Sequence, residues 1–325
     1  MNTTATGWLM VALAGAYGFA LCLMFLGRRL GRVPAWACLA LAAGPLAMLL
    51  CIPTEFIMHR AAAAFIATDV AFKLIDFTRH HSKRWNAEVQ QQFAWFLVPF
   101  PVLAVVAPDL RKRLERHDPA WPDLVRIIVG LPVFAGGMLL VQRLAAFEFV
   151  RESPVIDHLV RAVLFVPTIE AISRVLYGLE RLAGYDVSPI IRNAYRSRTV
   201  AEFWQRYNGR VHLWYERNLF RALKAKAGTN PATCVVFLAS GLHHELMFGM
   251  ATSRFTGYQL GFFLLQAPAV IVSPRIERWA RRGGPARAVV AHAGTLLFMA
   301  ITSVFFFQGV ALVFPDILPN PSPLP

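Results

Sequence analysis

The chain has 325 residues, 56% of them hydrophobic and only 16% charged, where a soluble domain carries about 25% charged residues. This excludes a secreted disulfide scaffold, a disordered tail and an ordinary soluble enzyme. The 33 Lys+Arg against 19 Asp+Glu leave a formal charge of +14. Because those basic residues fall between apolar runs, they orient the chain in a membrane and meet anionic head groups or an anionic cosubstrate, with no nucleic-acid partner expected.

Apolar windows of membrane-crossing character lie at 7–27, 34–52, 61–77, 125–147, 155–182, 233–251, 257–273 and 289–314, which predicts an all-α polytopic membrane protein of about eight transmembrane helices. They recur along the whole chain, so 1–325 reads as a single domain. Residues 1–7 lack a basic n-region, so the first run reads as an uncleaved span. The run 93–107 is short and broken by Pro99 and Pro101, which makes it a re-entrant or interfacial segment. No internal repeat is visible, and the Pro-rich stretch 315–325 reads as an extended end. Cys22, Cys38, Cys51 and Cys234 lie inside apolar runs without metal-ligand spacing, so neither a disulfide nor a metal site is expected; the redox compartment stays open.

Charge then sets orientation. If 93–107 does not cross, the loops 28–33, 78–92, 108–124, 183–232 and 274–288 share one side and carry three, three, four, nine and five Lys+Arg, 24 in all, against Arg60, Arg151 and Arg254 on the other. The rich side is cytoplasmic and both termini are not. Single cysteines at Ser82, Asp118, Ser197 and Gly284, in a background without the native cysteines, should resist an impermeant thiol reagent in intact cells, while those at Thr3 and Ser322 label. Different accessibility at Ser82 and Asp118 would mean that 93–107 crosses.

The long loop 183–232 carries Trp204, Tyr207, Trp214, Tyr215 and Phe220 among its arginines. Their spacing predicts a cytoplasmic interfacial helix over about 200–226, capped by Ser197 or Thr199. Within it, FWQRYNGRVHLW (203–214) puts Asn208 and His212 at i, i+4 between Trp204 and Trp214, a polar site flanked by aromatic rings.

The next window, TCVVFLASGLHHELMFGMA (233–251), places His243, His244 and Glu245 in hydrocarbon, where ionisable groups are costly and mark function by default. On a helix His244 shares a face with Ser240, Gly241, Met247 and Phe248, and Gly241 leaves room for a substrate carbonyl to approach the ring. His243 and Glu245 point about 100° to either side. The bland alternative is a pair of histidines hydrogen-bonded between helices. A zinc site would need a further His after the Glu, which 246–248 does not supply.

FWQRYNGRVHLW followed about 30 residues later by FLASGLHHE resembles the paired motifs of the membrane-bound O-acyltransferase superfamily, closest to the branch holding plant-type wax synthases and the sterol and diacylglycerol acyltransferases. NAYRSRTVAEFW and the earlier AFIATDVAFKLIDF resemble flanking segments of that branch. Asn208 falls on the family Asn and His244 on the family His. Tyr207 stands where Trp is usual, Gly209 and Arg210 replace an apolar-Pro pair, and His243 replaces an apolar residue. The resemblance implies an O-acyltransferase that moves an acyl group from acyl-CoA to the hydroxyl of a lipid acceptor of fatty alcohol, sterol or glyceride type, with no metal or bound cofactor. His244 would be the general base and Asn208 a donor to the oxyanion. Trp204, His212, Trp214, Ser240, Gly241 and Glu245 are the candidates for lining the substrate site. Such a protein is a multi-pass membrane protein among membrane lipids, of the inner membrane in a bacterium or the endoplasmic reticulum in a eukaryote.

Asp69, Lys73 and Asp76 form a further intramembrane cluster, either a structural ion pair or the lining of a substrate path, and Glu170 is a candidate to join it. The competing classes are a proton-coupled transporter relaying through His243, His244, Glu245, Asp69, Lys73 and Glu170, and a catalytically silent scaffold. The transporter class often shows inverted repeats, and none is visible.

Overall fold

The computed structural model describes residues 3–31, 34–81 and 117–315. Its helices in chain order are α1 (Thr3–Leu30), α2 (Ala35–Ala47) with a 3₁₀ turn at Met48–Cys51, α3 (Ile57–His81), α4 (Trp121–Ala145), α5 (Glu148–Arg151) and α6 (Pro154–Leu182). There follow α7 (Val200–Arg206), α8 (Gly209–Tyr215), a π turn at Glu216–Phe220, α9 (Arg221–Ala227), α10 (Thr229–Thr252), α11 (Tyr258–Arg282) and α12 (Gly284–Val313). No β-strand occurs among the described residues. The fold is that of an all-α polytopic membrane protein, as composition requires.

Every apolar window falls on a helix, but not every helix spans by its own length and apolarity. Among the described residues α1, α4, α10, α11 and α12 are long and apolar enough to cross a membrane. Helix α2 has 13 residues, fewer than the roughly 20 a bilayer needs, while α3 and α6 carry buried charged side chains. The segment 93–107 lies outside the described residues.

The contacts divide the chain into two compact units. The first contains α1, α2 and α3 with Tyr185–Val187 and Leu246–Phe255. Helix α1 buries Ala5, Ala12, Ala16, Ala20, Leu23 and Gly27, and all but Leu23 are small residues at helical spacing that let helices approach closely where lipid supplies no hydrophobic drive. Ala12 joins Leu49, Ile52, Ala63, Ala64 and Ala67 in one cluster. Buried Arg60 donates from Nη1 to Ile52 O at 2.6 Å and from Nε to Met250 O at 2.8 Å, with Nη2 also on Met250 O. Its charge therefore sits on carbonyls at the ends of two helical segments, where the backbone dipole is negative. Lys73 pairs with Asp69 at 2.6 Å, both fully buried.

The second unit contains His117–Gly184, Ser188–Glu245 and the chain from Thr256 onward. Its antiparallel pair α4 and α6 is tied at one end by buried Asp123, which accepts from Arg126 at 2.5 Å, Arg181 at 2.9 Å, the His117 ring at 2.8 Å and the Ala120 amide at 3.2 Å. Helix α12 meets α6 through the His158 ring, which donates to Ala300 O at 2.6 Å. It meets α11 through Gln259, which donates to Phe306 O at 3.0 Å.

The helix expected over about 200–226 forms with one interruption. Helix α7 stops at Tyr207, whose backbone is extended, and Asn208 takes the left-handed conformation at φ 50° before α8 begins. Asn tolerates that region better than other residues with a Cβ. Neighbouring backbone holds the break: Arg192 N–H donates to Arg206 O and Gly209 N–H to Ile190 O, both at 2.9 Å.

Candidate active site

Helix α10 presents His244 with its protonation geometry set by its own backbone. Nδ1 lies 2.8 Å from Ser240 O, one turn earlier. A carbonyl only accepts, so Nδ1 carries the proton and Nε2 keeps its lone pair. The Phe263 ring, from α11, covers the imidazole with centroids 4.3 Å apart at 35°, and the His243 ring stands 5.4 Å away at 65°. Nε2 is thus the atom left to take a proton.

Gly241 does not serve the purpose expected of it. A Cβ there would lie 3.0 Å from Leu260 Cδ1, 3.1 Å from Phe263 Cβ and 3.2 Å from Leu260 Cα. The space is occupied by α11 rather than open to a substrate carbonyl, and the glycine's effect is to bring Phe263 onto His244. Ser240 is buried, and its side chain hydrogen-bonds to the Tyr215 hydroxyl of α8.

Glu245 is committed elsewhere too. Its carboxylate accepts from the backbone N–H groups of Thr256 and Gly257 at 2.7 Å each, Gln259 at 3.1 Å and Leu260 at 3.4 Å. It therefore caps α11 through its first turn, where the helix dipole favours an anion. Glu245→Ala should leave those amides unsatisfied at membrane depth and destabilise the fold by about 3 kcal/mol. Thermal unfolding of the purified variant checks this; an unchanged midpoint would contradict it.

Phe263 links His244 to the aromatic segment. The Trp204 ring lies 5.4 Å from Phe263, 5.8 Å from Phe237 and 5.9 Å from Tyr207, and Tyr207 stacks on Phe203 at 5.3 Å. Trp204 Nε1 donates to Gln266 Oε1 at 3.3 Å, and Gln266 Nε2 donates to Thr302 Oγ1 at 3.1 Å. Gln266 is 0% exposed. It went unremarked in the sequence, although a Gln inside FFLLQAPAV is the kind of intramembrane polar group that marks a role.

The start of α7 is firmly held. The Thr199 hydroxyl caps it by accepting Glu202 N–H at 3.2 Å, so of the two candidate caps Thr199 serves. Ser273 Oγ accepts Ala201 N–H at 3.1 Å, and the His292 ring donates to Ser197 O at 2.8 Å. At the start of α8, Arg210 is 1% exposed and meets Glu180 of α6 with Nη1 at 2.7 Å and Nη2 at 2.5 Å, while its Nε donates to Ser188 O at 2.8 Å. A fork-on-carboxylate pair of this kind fixes direction as well as distance. Burial pushes the Tyr207 and Tyr215 phenols above their ordinary pKa, so both remain neutral hydroxyls at working pH.

The structure thus joins Trp204 and His244 through Phe263, and Ser240 to both His244 and Tyr215, while Asn208 follows Tyr207 in sequence. The Asn208 side chain makes no helix-capping bond, and among the described residues no hydrogen bond joins it to His244. Trp214 is buried against Tyr215 at 5.2 Å. His212 is exposed and touches the Asn208 segment through its backbone, whose N–H donates to Asn208 O at 3.1 Å. Among the described residues no group of three His, Cys, Asp or Glu side chains is assembled as a metal site.

No family model matches the chain. Curated relatives match about a third of it. Diacylglycerol O-acyltransferase 1B of Glycine max is 26% identical over 111 residues, 34% of this chain and 20% of that protein. Diacylglycerol O-acyltransferase 1A of the same organism is 26% identical over 111 residues, 34% of this chain and 21% of its own length. Diacylglycerol O-acyltransferase 1C is 25% identical over 100 residues, 30% and 19% of the two chains. The chain thus spans about a fifth of the length of the curated relatives it matches. All three of these relatives are diacylglycerol O-acyltransferases, and none is a wax synthase.

Proposed function

We propose that residues 1–325 form one membrane-bound O-acyltransferase-like domain that moves an acyl group from acyl-CoA to the hydroxyl of a lipid acceptor. The observation that carries this reading is the His244 tautomer: Nδ1–H held by Ser240 O leaves Nε2 as an acceptor aimed away from its own helix. In the proposed step Nε2 takes the acceptor's hydroxyl proton as its oxygen attacks the thioester carbonyl. The Asn208 amide donates to the oxyanion, the C–S bond breaks, and the proton passes from His244 to the departing thiolate. The ester and free CoA are the products. The similarity to diacylglycerol O-acyltransferases favours a glyceride acceptor; fatty alcohols and sterols are the other acceptors of the same chemistry.

The transporter reading loses support because four of its relay groups are engaged. Glu245 caps α11, Lys73 neutralises Asp69, and Glu170 pairs with Arg174 at 2.7 Å. The full chain, reconstituted and incubated with labelled acyl-CoA and a panel of diacylglycerol, sterol and long-chain alcohol, should yield a labelled ester whose identity names the acceptor. Absence of ester with every acceptor, from folded protein, would sink the proposal.

A further inference from the structure

Helix α11 runs past its apolar stretch as SPRIERWARR before the turn at Gly283. At about 100° per residue, Arg275, Arg278, Trp279 and Arg282 fall within roughly a 100° arc of that helix. All four are exposed, Trp279 at 42%. Arg281 is spent on Glu277 at 2.5 Å, whereas Arg275, Arg278 and Arg282 have no ion pair or hydrogen bond among the described residues. A fifth arginine comes from the start of α12: Arg287 lies over the Trp279 ring with its guanidinium carbon 5.4 Å from the centroid. The missing side chain of Gly283 makes room for it, since a Cβ there would collide with Arg287 Cδ and Nε. A cation braced by a ring and a glycine is partly pre-organised before anything binds.

Helix-dipole compensation explains only part of this, because it reaches the last turn and leaves Arg275 and Arg278 unaccounted for. The surroundings identify what lies opposite. Leu264, Leu265 and Val272 on α11 and Val289 and Val290 on α12 are exposed apolar side chains, Val289 at 65%, so lipid-facing surface borders the arginines on both helices. Cations at that border, beside an exposed Trp, stand in the headgroup layer.

We propose that the α11–α12 turn is a docking surface for the phosphates of anionic membrane lipids, with Arg275, Arg278, Arg282 and Arg287 as its cations. This is independent of the acyltransferase reading and is tested without turnover. The full-length chain in detergent micelles is titrated separately with phosphatidylglycerol, phosphatidylcholine and coenzyme A, and binding is counted by native mass spectrometry. Phosphatidylglycerol should bind at least tenfold more tightly than phosphatidylcholine. Each interfacial arginine contributes about fivefold, so Arg275→Gln/Arg278→Gln/Arg282→Gln should lose about 10²-fold in phosphatidylglycerol affinity. The charge-matched Arg198→Gln/Lys224→Gln/Lys226→Gln should change it less than twofold. Gly283→Ala, which keeps every charge and displaces Arg287, should lose severalfold, and it keeps the test decisive if the triple variant misfolds. Equal binding of the two lipids, no greater loss than in the control, or loss confined to coenzyme A would each overturn the proposal, the last assigning the arginines to the cosubstrate.

Discussion

Replacing His244 with alanine should lower acyl transfer by about 10² to 10⁴-fold, the usual worth of a positioned general base, while the protein still inserts and unfolds as before. Two features of the site argue for a loss of that size. The bond from Nδ1–H to Ser240 O holds the tautomer with its lone pair on Nε2, so no reorganisation precedes proton transfer. Phe263 covers the ring at 4.3 Å, which keeps it in one orientation and excludes water from that face. His243 is the internal control: it shares the helix and the bilayer depth but lies about 100° round the axis, and His243→Ala should keep a measurable fraction of activity. Radiolabelled ester formed per minute, compared at equal amounts of folded protein, decides. An inactive His243→Ala beside an active His244→Ala would exchange the roles of the doublet and remove the tautomer argument.

The architecture was open to sequence reading because in a membrane the apolar windows and the helices are the same objects; each of the eight runs lies on a helix. Length was harder to see. The run 257–273 belongs to a helix that continues to Arg282, because basic residues end an apolar window without ending a helix. The break at Asn208 was announced by the dipeptide Asn-Gly, a strong turn signal, yet aromatic spacing on either side favoured one helix. What decides it is long-range: Ile190 O and Arg192 N–H supply the bonds that make interruption tolerable.

The same distance effect hid the duties of individual residues. Glu245 reads as an intramembrane charge awaiting a function, and only the fold brings it to the amides of Thr256 and Gly257. Arg210 reads as a departure from a family pattern, and its reason is Glu180, 30 residues upstream. The contact of His244 with Ser240 was legible because the two are four residues apart, where helical periodicity alone sets the contact. Local geometry can be read along the chain, whereas partners contributed by other elements cannot.

Substitution of Asn208 should separate a chemical role from a conformational one. The residue is left-handed at φ 50°, so Asn208→Ala loses the amide and also adds about 1–2 kcal/mol of backbone strain. Asn208→Gly removes the amide alone, since glycine takes that conformation without penalty. If the amide donates to the oxyanion, both variants should lose about 10² to 10³-fold in kcat, the size seen when one such donor is removed. kcat/KM should fall in parallel, because the interaction exists chiefly in the transition state. Thermal stability should then distinguish them, with the glycine variant near the parent and the alanine variant lower. A glycine variant with parental kcat would reduce Asn208 to a hinge between α7 and α8. A rise in KM at constant kcat would instead place its amide on the bound acyl-CoA before reaction, and the oxyanion would need another donor; the neutral Tyr207 hydroxyl, next in sequence, is the first to replace, by phenylalanine.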